Sequence, residues 1–540
     1  MIDAQRTLRE GKLPESTVHK IMNKTEEYNM IWTRYCADYV RFKHELETLH
    51  TGTGFGTNLD SDKGDCPCPE HDHTPSLEAS EHYRFGEHSE EKDKKSVTRV
   101  APSVVLPGSE PVVARGVIRN GAACDKANEG RVEKPQKEAL ERLDPSIEKH
   151  FEGFIEALKW QIGTEHDPLP FDEWIKRVRP IYRQEYMLEA NHELTDCLED
   201  RETTRFIKAE AYDECKDPRF ITPIPTKVQA KLFPFAYSLQ DALHACKWFA
   251  FGRSLPEVAA YVAEISSDEN LKTCETDFSR FDGTFTPLMR ELELRIYKAF
   301  FPTHEAELEE VHSFTMNLIA SVSGRRFKTK ASRCSGAADT CLMNTLCNMF
   351  TRFVALGPKC FERCVVGGDD GLCFQTPEEI SLLEKAIGRC GFKVKMKVMN
   401  FGEPFTFLAR TFVNGDPNSC CDPLRLIPKL NLVGHPNVPD KFKRQRYAWK
   451  ISSLLLTDAN TPVVGSILRQ ELSKEDAVFL EEYCQDDRWK MEMLKDGPWP
   501  NELKPWMEDY ISKYAVLVRS NMGRLMVELR PRDPPVGEKL

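Results

Sequence analysis

The stretch Val365-Val366-Gly367-Gly368-Asp369-Asp370-Gly371-Leu372-Cys373-Phe374 admits few conformations. Two β-prone apolar runs are separated by Gly-Asp-Asp-Gly, the composition of a tight hairpin with Asp369 and Asp370 at or beside its tip. Neighbouring carboxylates oppose each other's ionisation unless a cation neutralises them, and hard oxygen ligands of this kind suit Mg²⁺ or Mn²⁺. Asp and Gly also favour turns for conformational reasons alone, so a solvated surface turn has the same composition.

A chain of 540 residues is long enough for several packed subdomains or one large multi-lobed enzyme. With 40% hydrophobic and 29% charged residues, and no apolar run approaching the roughly 20 residues that span a bilayer, it reads as globular without a transmembrane segment. The first residues carry acids and lack an apolar centre, so no secretory signal is expected. Eighteen scattered cysteines, Cys274, Cys341, Cys347, Cys364 and Cys373 among them, read as small buried thiols in a reducing compartment, not as a disulfide framework. The net charge of −11 argues against nonspecific coating of nucleic acid, yet bases collect at 323–333 and 440–450. Such strips fit either an internal channel for a polyanion or solvated basic faces.

Residues 51–135 are rich in Gly, Pro, Ser, Asp and His and read as a loop-rich extension. TGTGFG at 51–56 lacks the preceding strand and the lysine of a phosphate loop. Cys66, Cys68, His71 and His73 offer zinc-binding atoms without the usual spacing of a structural zinc site, and a loop accounts for them better. From about 136 amphipathic helical patterns dominate, with the aromatics of 148–162, 171–186 and 240–252 expected in the core. The segment after 415 reads as a helical lobe, with helices expected at 465–473 and 475–484.

Two further stretches carry chemistry. In 274–285 a β-prone run ends at Asp277, Asp282 follows in the turn, and Thr286 with Pro287 marks the start of a helix. That unit presents two carboxylates to a neighbouring pocket, or caps its own turn. In 334–350 Ser335 and Gly336 precede a helical run in which Thr340 and Asn344, four apart, share a face. Gly336 permits close backbone approach; the alternative makes Ser335 a helix cap and Thr340 and Asn344 ordinary surface residues.

In order, these stretches resemble motifs A, B and C of viral RNA-dependent RNA polymerases: Asp277 and Asp282, then Ser335, Gly336, Thr340 and Asn344, then Gly368, Asp369 and Asp370. Residues 206–221 resemble motif F through Lys208, Glu210, Lys216 and Arg219, and the wording is most similar to the nodavirus-like replicases of positive-strand RNA viruses. FTFLAR at 405–410 resembles motif E, with Ala409 where that group often has Gly. Lys393, Lys395 and Lys397 alternate with Phe392, Val394 and Met396 in the motif D region; one of the lysines resembles the family's general acid, and the sequence does not choose among them. A half-buried strand with a solvated lysine face has the same pattern.

The resemblance implies an α+β right-hand fold with fingers, a palm built on an antiparallel sheet flanked by helices, and a helical thumb. Its expected divisions are an N-terminal extension to 135 contributing to the fingers, fingers with motif F at 136–270, a palm with motifs A to E at 271–412 into which part of the fingers is inserted near 305–333, and a thumb at 413–540. It further implies Asp277, Asp369 and Asp370 as catalytic metal ligands for two Mg²⁺ (or Mn²⁺) ions roughly 3.5 to 4 Å apart. Lys208, Lys216 and Arg219 would neutralise the triphosphate, and Asp282, Ser335 and Asn344, supported by Thr340, would recognise the ribose 2′-hydroxyl. Expected partners are single-stranded RNA template, the nascent duplex, ribonucleoside triphosphates and other replicase components. The expected setting is genome replication in the host cytoplasm at membrane-associated complexes, with synthesis starting without a primer. Relatives often carry a capping or anchoring region that this chain does not display, so it reads as a separate subunit or as part of a larger replicase. A reverse transcriptase, or an RNA-binding replication subunit with little turnover, would share part of the pattern; Asp282 together with Asn344 and the glycine before the Asp pair favour RNA synthesis over the first, and intact acids at all three metal positions count against the second.

Overall fold

The computed structural model describes residues 94–95, 98–101, 117–118, 121–195, 198–210, 217–323, 325–434, 438–472 and 499–511. Strands β1 (Lys94–Lys95), β2 (Thr98–Arg99) and β3 (Val117–Ile118) lead into helices α1 (Gly121–Asn128) and α2 (Lys134–Arg142). The loop-rich stretch expected to reach 135 therefore stops short of that point. Ala123, Cys124 and Ala127 bring the backbone of α1 close to Ile207 and Phe220, a contact that small side chains permit and that composition alone conceals.

Helix α3 (Phe151–Ile162) buries Phe151, Phe154, Ile155 and Leu158, one stripe at helical spacing. Trp160, expected in the core, is 89% exposed: two residues beyond Leu158, it lies on the opposite side of the helix. The pattern at 171–189 divides into α4 (Phe171–Arg177) and α5 (Pro180–Glu189), because Arg179, held extended before Pro180, interrupts the helix. Trp174 is buried on α4, but α5 buries no side chain, and Ile181 and Tyr182 do not join the core.

A small parallel and antiparallel sheet uses β4 (Glu202–Thr204), and β5 (Phe206–Ile207) pairs with β6 (Phe220–Ile221) as a hairpin base. Helix α6 (Thr226–Leu243) ends before Trp248 and Phe249, which the helical pattern would have carried onward. Those residues run instead beside a later strand, where Ala250 N donates to Val366 O at 3.0 Å, so open edge groups compete successfully with helix continuation. Helix α7 (Leu255–Ile265) starts at a capping box of Ser254 and Glu257.

The centre follows. Strand β7 (Lys272–Phe278) leads through a short 3-10 turn to α8 (Pro287–Phe300), capped by Thr286 as the sequence predicts. After α9 (Glu305–Ser313), strands β8 (Ile319–Val322) and β9 (Arg325–Lys328) complete the sheet with β4 in the order β4-β8-β9. Helix α10 (Thr340–Leu356), β10 (Cys364–Gly367), β11 (Asp370–Gln375), α11 (Pro377–Arg389) and β12 (Val394–Met399) come next. Strands β10-β11-β7-β12 form a four-stranded antiparallel sheet, and Cys274, Cys373, Leu346, Met349 and Phe350 belong to the large core beside it.

The remaining strands are β13 (Phe405–Phe407), β14 (Arg410–Phe412), β15 (Cys420–Cys421) and β16 (Leu432–Val433), followed by helices α12 (Asp440–Asp458) and α13 (Val464–Glu471). A second core joins Cys421, Ile427, Tyr447, Ile451, Val464 and Leu468 with Val100 from the N-terminal side. Strand β16 pairs with β2, while β1 pairs with β3, so adjacent N-terminal strands tie the C-terminal helical lobe to the β5 side of the molecule. Helix α13 matches the first of the two helices expected there; the second, like TGTGFG and the Cys66, Cys68, His71 and His73 group, lies outside the described residues. The architecture is the expected α+β combination of an antiparallel sheet and flanking helices. Among the described residues no helix is long and apolar enough to cross a membrane.

Candidate active site

The Gly-Asp-Asp-Gly turn forms because only two residues separate the strands: Gly367 pairs with Asp370, leaving Gly368 and Asp369 as the loop. Gly368 adopts φ +67°, the left-handed region that a primed two-residue turn demands at its first position and that glycine occupies without penalty. Strand β11 then runs antiparallel to β7 with Asp370 directly opposite Asp277. Directly opposed residues share a face of the sheet, so carboxylates 93 positions apart in the chain become neighbours (370 − 277). Asp277 is exposed, and Asp369 and Asp370 are partly buried. Burial, followed by the charges of Asp369 and Asp277, pushes the Asp370 carboxyl up to about 7.

On the other side of β7, Lys395 of β12 is opposite Asp277. Lys397, two residues on, lies 3.6 Å from Glu275, whose carboxylate also accepts from Thr406 N (2.5 Å) and Thr406 Oγ1 (3.0 Å) and so fastens β13 to β7. Register therefore separates lysines that the sequence could not: Lys395 stands nearest the aspartates and Lys397 is engaged elsewhere.

Asp282 lies in the turn after β7, where Asn344 Nδ2 donates to its Oδ1 at 2.8 Å. Burial raises the Asp282 pKa against that hydrogen bond, Asp369 raises it further, and the charges of Arg333 and Arg219 oppose the rise. Asn344 Oδ1, buried, has no hydrogen-bond partner among the described residues. Ser335 caps no helix, since α10 begins at Thr340; its hydroxyl donates to Phe220 O at 3.2 Å and accepts from Thr222 N at 3.2 Å. Gly336 N donates to Thr222 O at 2.9 Å, and a Cβ at Gly336 would sit 2.9 Å from Pro223 Cα, so the close approach read from the sequence is real. Thr340 donates to Cys334 O at 3.0 Å, closing the loop it follows. Cys341, expected to be buried, is exposed in the first turn of α10. The other described cysteines are buried free thiols.

Lys208 N donates to Arg219 O at 2.8 Å across the β5–β6 base, and it is the Arg219 charge that reaches Asp282. Glu210 draws both side chains in, with Lys208 Nζ at 3.2 Å and Arg219 Nε at 3.7 Å, yet the two cations stay 41% and 51% exposed. Lys216 lies outside the described residues. Of the basic strip at 323–333, Arg325 and Arg326 pair with Asp125 and Glu202 on the surface, whereas Arg333 is buried.

Sequence reasoning missed the support behind the site. Arg333 N donates to Asp282 O at 2.8 Å, and the Arg333 guanidinium binds Glu293 and, at 3.1 Å, Asp339. Arg290 joins Glu293 at 2.6 Å. Burial works against ionisation of Glu293, but Arg290 and Arg333 outweigh it and hold the carboxyl at about 2. On α10, Thr345, Asn348 and Arg352 are buried polar residues on one helical stripe. That stripe, three polar residues at helical spacing inside an apolar run, was the available signal.

An RNA-dependent RNA polymerase family model matches residues 235–449, which contain every one of these motif A, B and C positions. The RNA-directed RNA polymerase of Striped jack nervous necrosis virus is 29% identical over 359 residues, 62% of this chain and 35% of that protein. Those of Pariacoto virus (25% over 380 residues, 67% and 38%) and Nodamura virus (27% over 297 residues, 50% and 28%) also match. The chain is similar to the nodavirus-like viral RNA-directed RNA polymerases. It spans about a third of the length of these polymerase relatives. In fold, it is similar to the RNA-dependent RNA polymerase of a human picorbirnavirus, in an insertion-loop deletion mutant, with TM-score 0.53 and 13% identity over 67% of this chain and 78% of that one. Asp277 and Asp370 stand on the two central strands of the β10-β11-β7-β12 sheet, with Asp369 in the turn beside them.

Proposed function

We propose that this chain catalyses template-directed transfer of ribonucleotides to an RNA 3′-hydroxyl, with 271–412 as palm, 136–270 with an insertion near 305–333 as fingers, and 413–540 as thumb. One observation carries the reading: Asp277 and Asp370 are directly opposed on neighbouring strands, and burial, followed by the charges of Asp369 and Asp277, pushes the Asp370 carboxyl up to about 7. A set of acids that oppose one another's ionisation is relieved by a cation, and an all-oxygen donor set suits Mg²⁺ or Mn²⁺. Among the described residues no three His, Cys, Asp or Glu side chains enclose a point by themselves. Asp277, Asp369 and Asp370 would hold the ions, which supply charge neutralisation for phosphoryl transfer.

The chain's own residues do the rest by positioning. Lys208 and Arg219, held side by side by Glu210 but still open to solvent, would offer cations to a triphosphate, and the Arg219 charge already acts on Asp282. The unpartnered Asn344 Oδ1 and the Asp282 carboxyl form a polar edge that a ribose 2′-hydroxyl can satisfy and a deoxyribose cannot. Ser335 shapes that edge through the strand base at Phe220 and Thr222. Lys395, in register with Asp277, would be the motif D lysine that protonates the leaving pyrophosphate. Template bases would be read by pairing, so binding of single-stranded RNA rests on backbone charge and weakens with salt.

The test is incorporation of labelled ribonucleotide by the purified chain on an RNA template with no primer, in Mg²⁺ and in Mn²⁺, with the product ends mapped. Incorporation that vanishes in Asp369→Asn, with products starting opposite the template terminus, is expected. Wild type inactive with both metals, or Asp369→Asn as active as wild type, would refute the reading.

A further inference from the structure

The face of the palm sheet opposite the carboxylates carries a hydrogen-bonded clamp built from α10. Thr345 Oγ1 accepts from Gly368 N at 2.9 Å. Asn348 Nδ2 donates to Gly368 O at 3.0 Å and reaches Asp370 O at 3.4 Å, so one amide spans the whole acidic turn from behind. Arg352 Nη1 binds Asn348 Oδ1, fixing which way that amide points. Arg352 Nη2 donates to Thr276 Oγ1 at 2.9 Å, and Thr276 Oγ1 donates to Gly371 O at 3.1 Å. Thr276 directly precedes Asp277, and Gly371 directly follows Asp370.

Arg352, Asn348 and Thr345 are each 0% exposed. Among the described residues no carboxylate pairs with Arg352. Burying a guanidinium without an acid is costly, so its retention points to the polar groups it does hold. The packing is also exclusive: a Cβ on Gly371 would collide with Arg352 Nη2 and Thr276 Oγ1, so the final glycine of the turn is the space the guanidinium occupies.

We propose that Arg352, acting through Asn348 and Thr276, is a positioning residue that sets the spacing of the Asp277 strand and the Asp369–Asp370 turn, and through it the affinity of the site for divalent cations. The inference rests on the reading of these aspartates as cation ligands. It differs from a packing role because the guanidinium joins Asn348, which holds the acidic turn, to Thr276, which stands beside Asp277. Asp277 and Asp370 would remain on adjacent strands without it, but the turn that carries Asp369 would lose its side-chain link through Asn348 to β7. Metal affinity responds to such outer partners by about 10 to 100-fold.

The experiment titrates Mn²⁺ into the purified full chain without nucleotide, following free Mn²⁺ by electron paramagnetic resonance. The variants are Arg352→Lys, which keeps the charge and loses the fork, Thr276→Val, which keeps the shape and loses the hydroxyl, and Thr276→Ser, which restores it. Melting curves establish that each is folded, and the Thr276 pair decides the matter if Arg352→Lys does not fold. Expected are a dissociation constant raised about tenfold or more in Arg352→Lys and Thr276→Val, and recovery to within about twofold of wild type in Thr276→Ser. The Mg²⁺ needed for half-maximal ribonucleotide incorporation should shift by the same factor, with little change in KM for ribonucleotide at saturating metal. A folded Thr276→Val that binds Mn²⁺ as wild type does overturns the clamp alone. Wild type that fails to bind Mn²⁺, or binds it equally well as Asp370→Asn, overturns the cation-site reading and the clamp with it.

Discussion

Two acidic groups on neighbouring parts of this fold meet opposite fates. Glu293, buried on α8, is met by Arg290 and Arg333, and its carboxyl is held at about 2. Asp370, partly buried at the start of β11, has its carboxyl pushed up to about 7 by burial first and then by the charges of Asp369 and Asp277. Both depart far from an ordinary carboxylate, so perturbation alone does not separate scaffold from site. The sign does: a carboxylate whose charge is answered within the chain holds structure, and one whose charge is worsened by its neighbours awaits something from outside. Here the first group supports the second, since Arg333 also donates its backbone N–H to Asp282.

The comparison breaks most sharply at the acids themselves. Asp369→Asn should lower ribonucleotide incorporation by more than the roughly 100-fold that an outer-shell partner costs, while leaving the melting temperature of the metal-free protein unchanged or higher. Glu293→Gln should show the reverse balance. Removing one member of a buried ion cluster strands the others, so unfolding free energy should fall by about 3–5 kcal/mol in denaturant titration, with activity per folded molecule affected far less. Equal stability losses in the two variants would erase the distinction.

Titration sharpens it further. Asp370 takes up its proton more readily when folded than at its unfolded value of 3.8, so its contribution is complete below that pH and is lost as pH rises through about 7. A shift of that size corresponds to at most about 4 kcal/mol, which solvent at the rim of the site reduces to about 2. In chelator, Asp370→Asn should therefore melt higher than wild type at pH 8, with the gap closing towards pH 5. Glu293 runs the other way: its contribution is present above its unfolded value of 4.5 and is lost as pH falls towards about 2. Wild type should thus lose stability relative to Glu293→Gln on going from pH 5 to pH 3, the smallest effect because other carboxylates titrate there too.

The same contrast explains what the sequence disclosed. Asp277, Asp369 and the Gly368 turn were legible because the chemistry that positions them is local: a strand end, a two-residue hairpin, a glycine where φ is positive. The helix start at Thr286 and Pro287 was local too. Arg352, Asn348, Thr276 and Arg333 were not, because each acts on a partner that only the folded chain brings near, such as Thr276, 76 positions from Arg352. Helical periodicity likewise overreached where a stripe ended. Trp160 fell on the solvent side of α3, Ile181 on a helix with no buried face, and Trp248 left the helix for the edge of β10. The lysines at 393, 395 and 397 were equivalent by alternation and became distinct only through register with Asp277 and Glu275.

Anomalous diffraction from crystals soaked in Mn²⁺ with a non-hydrolysable ribonucleotide asks most directly whether these acids share their counter-charge. Metal peaks in contact with Asp277 on one strand and with the Asp369–Asp370 turn on the other are predicted. Peaks on one segment only, or nucleotide bound with no metal between the two strands, would contradict it.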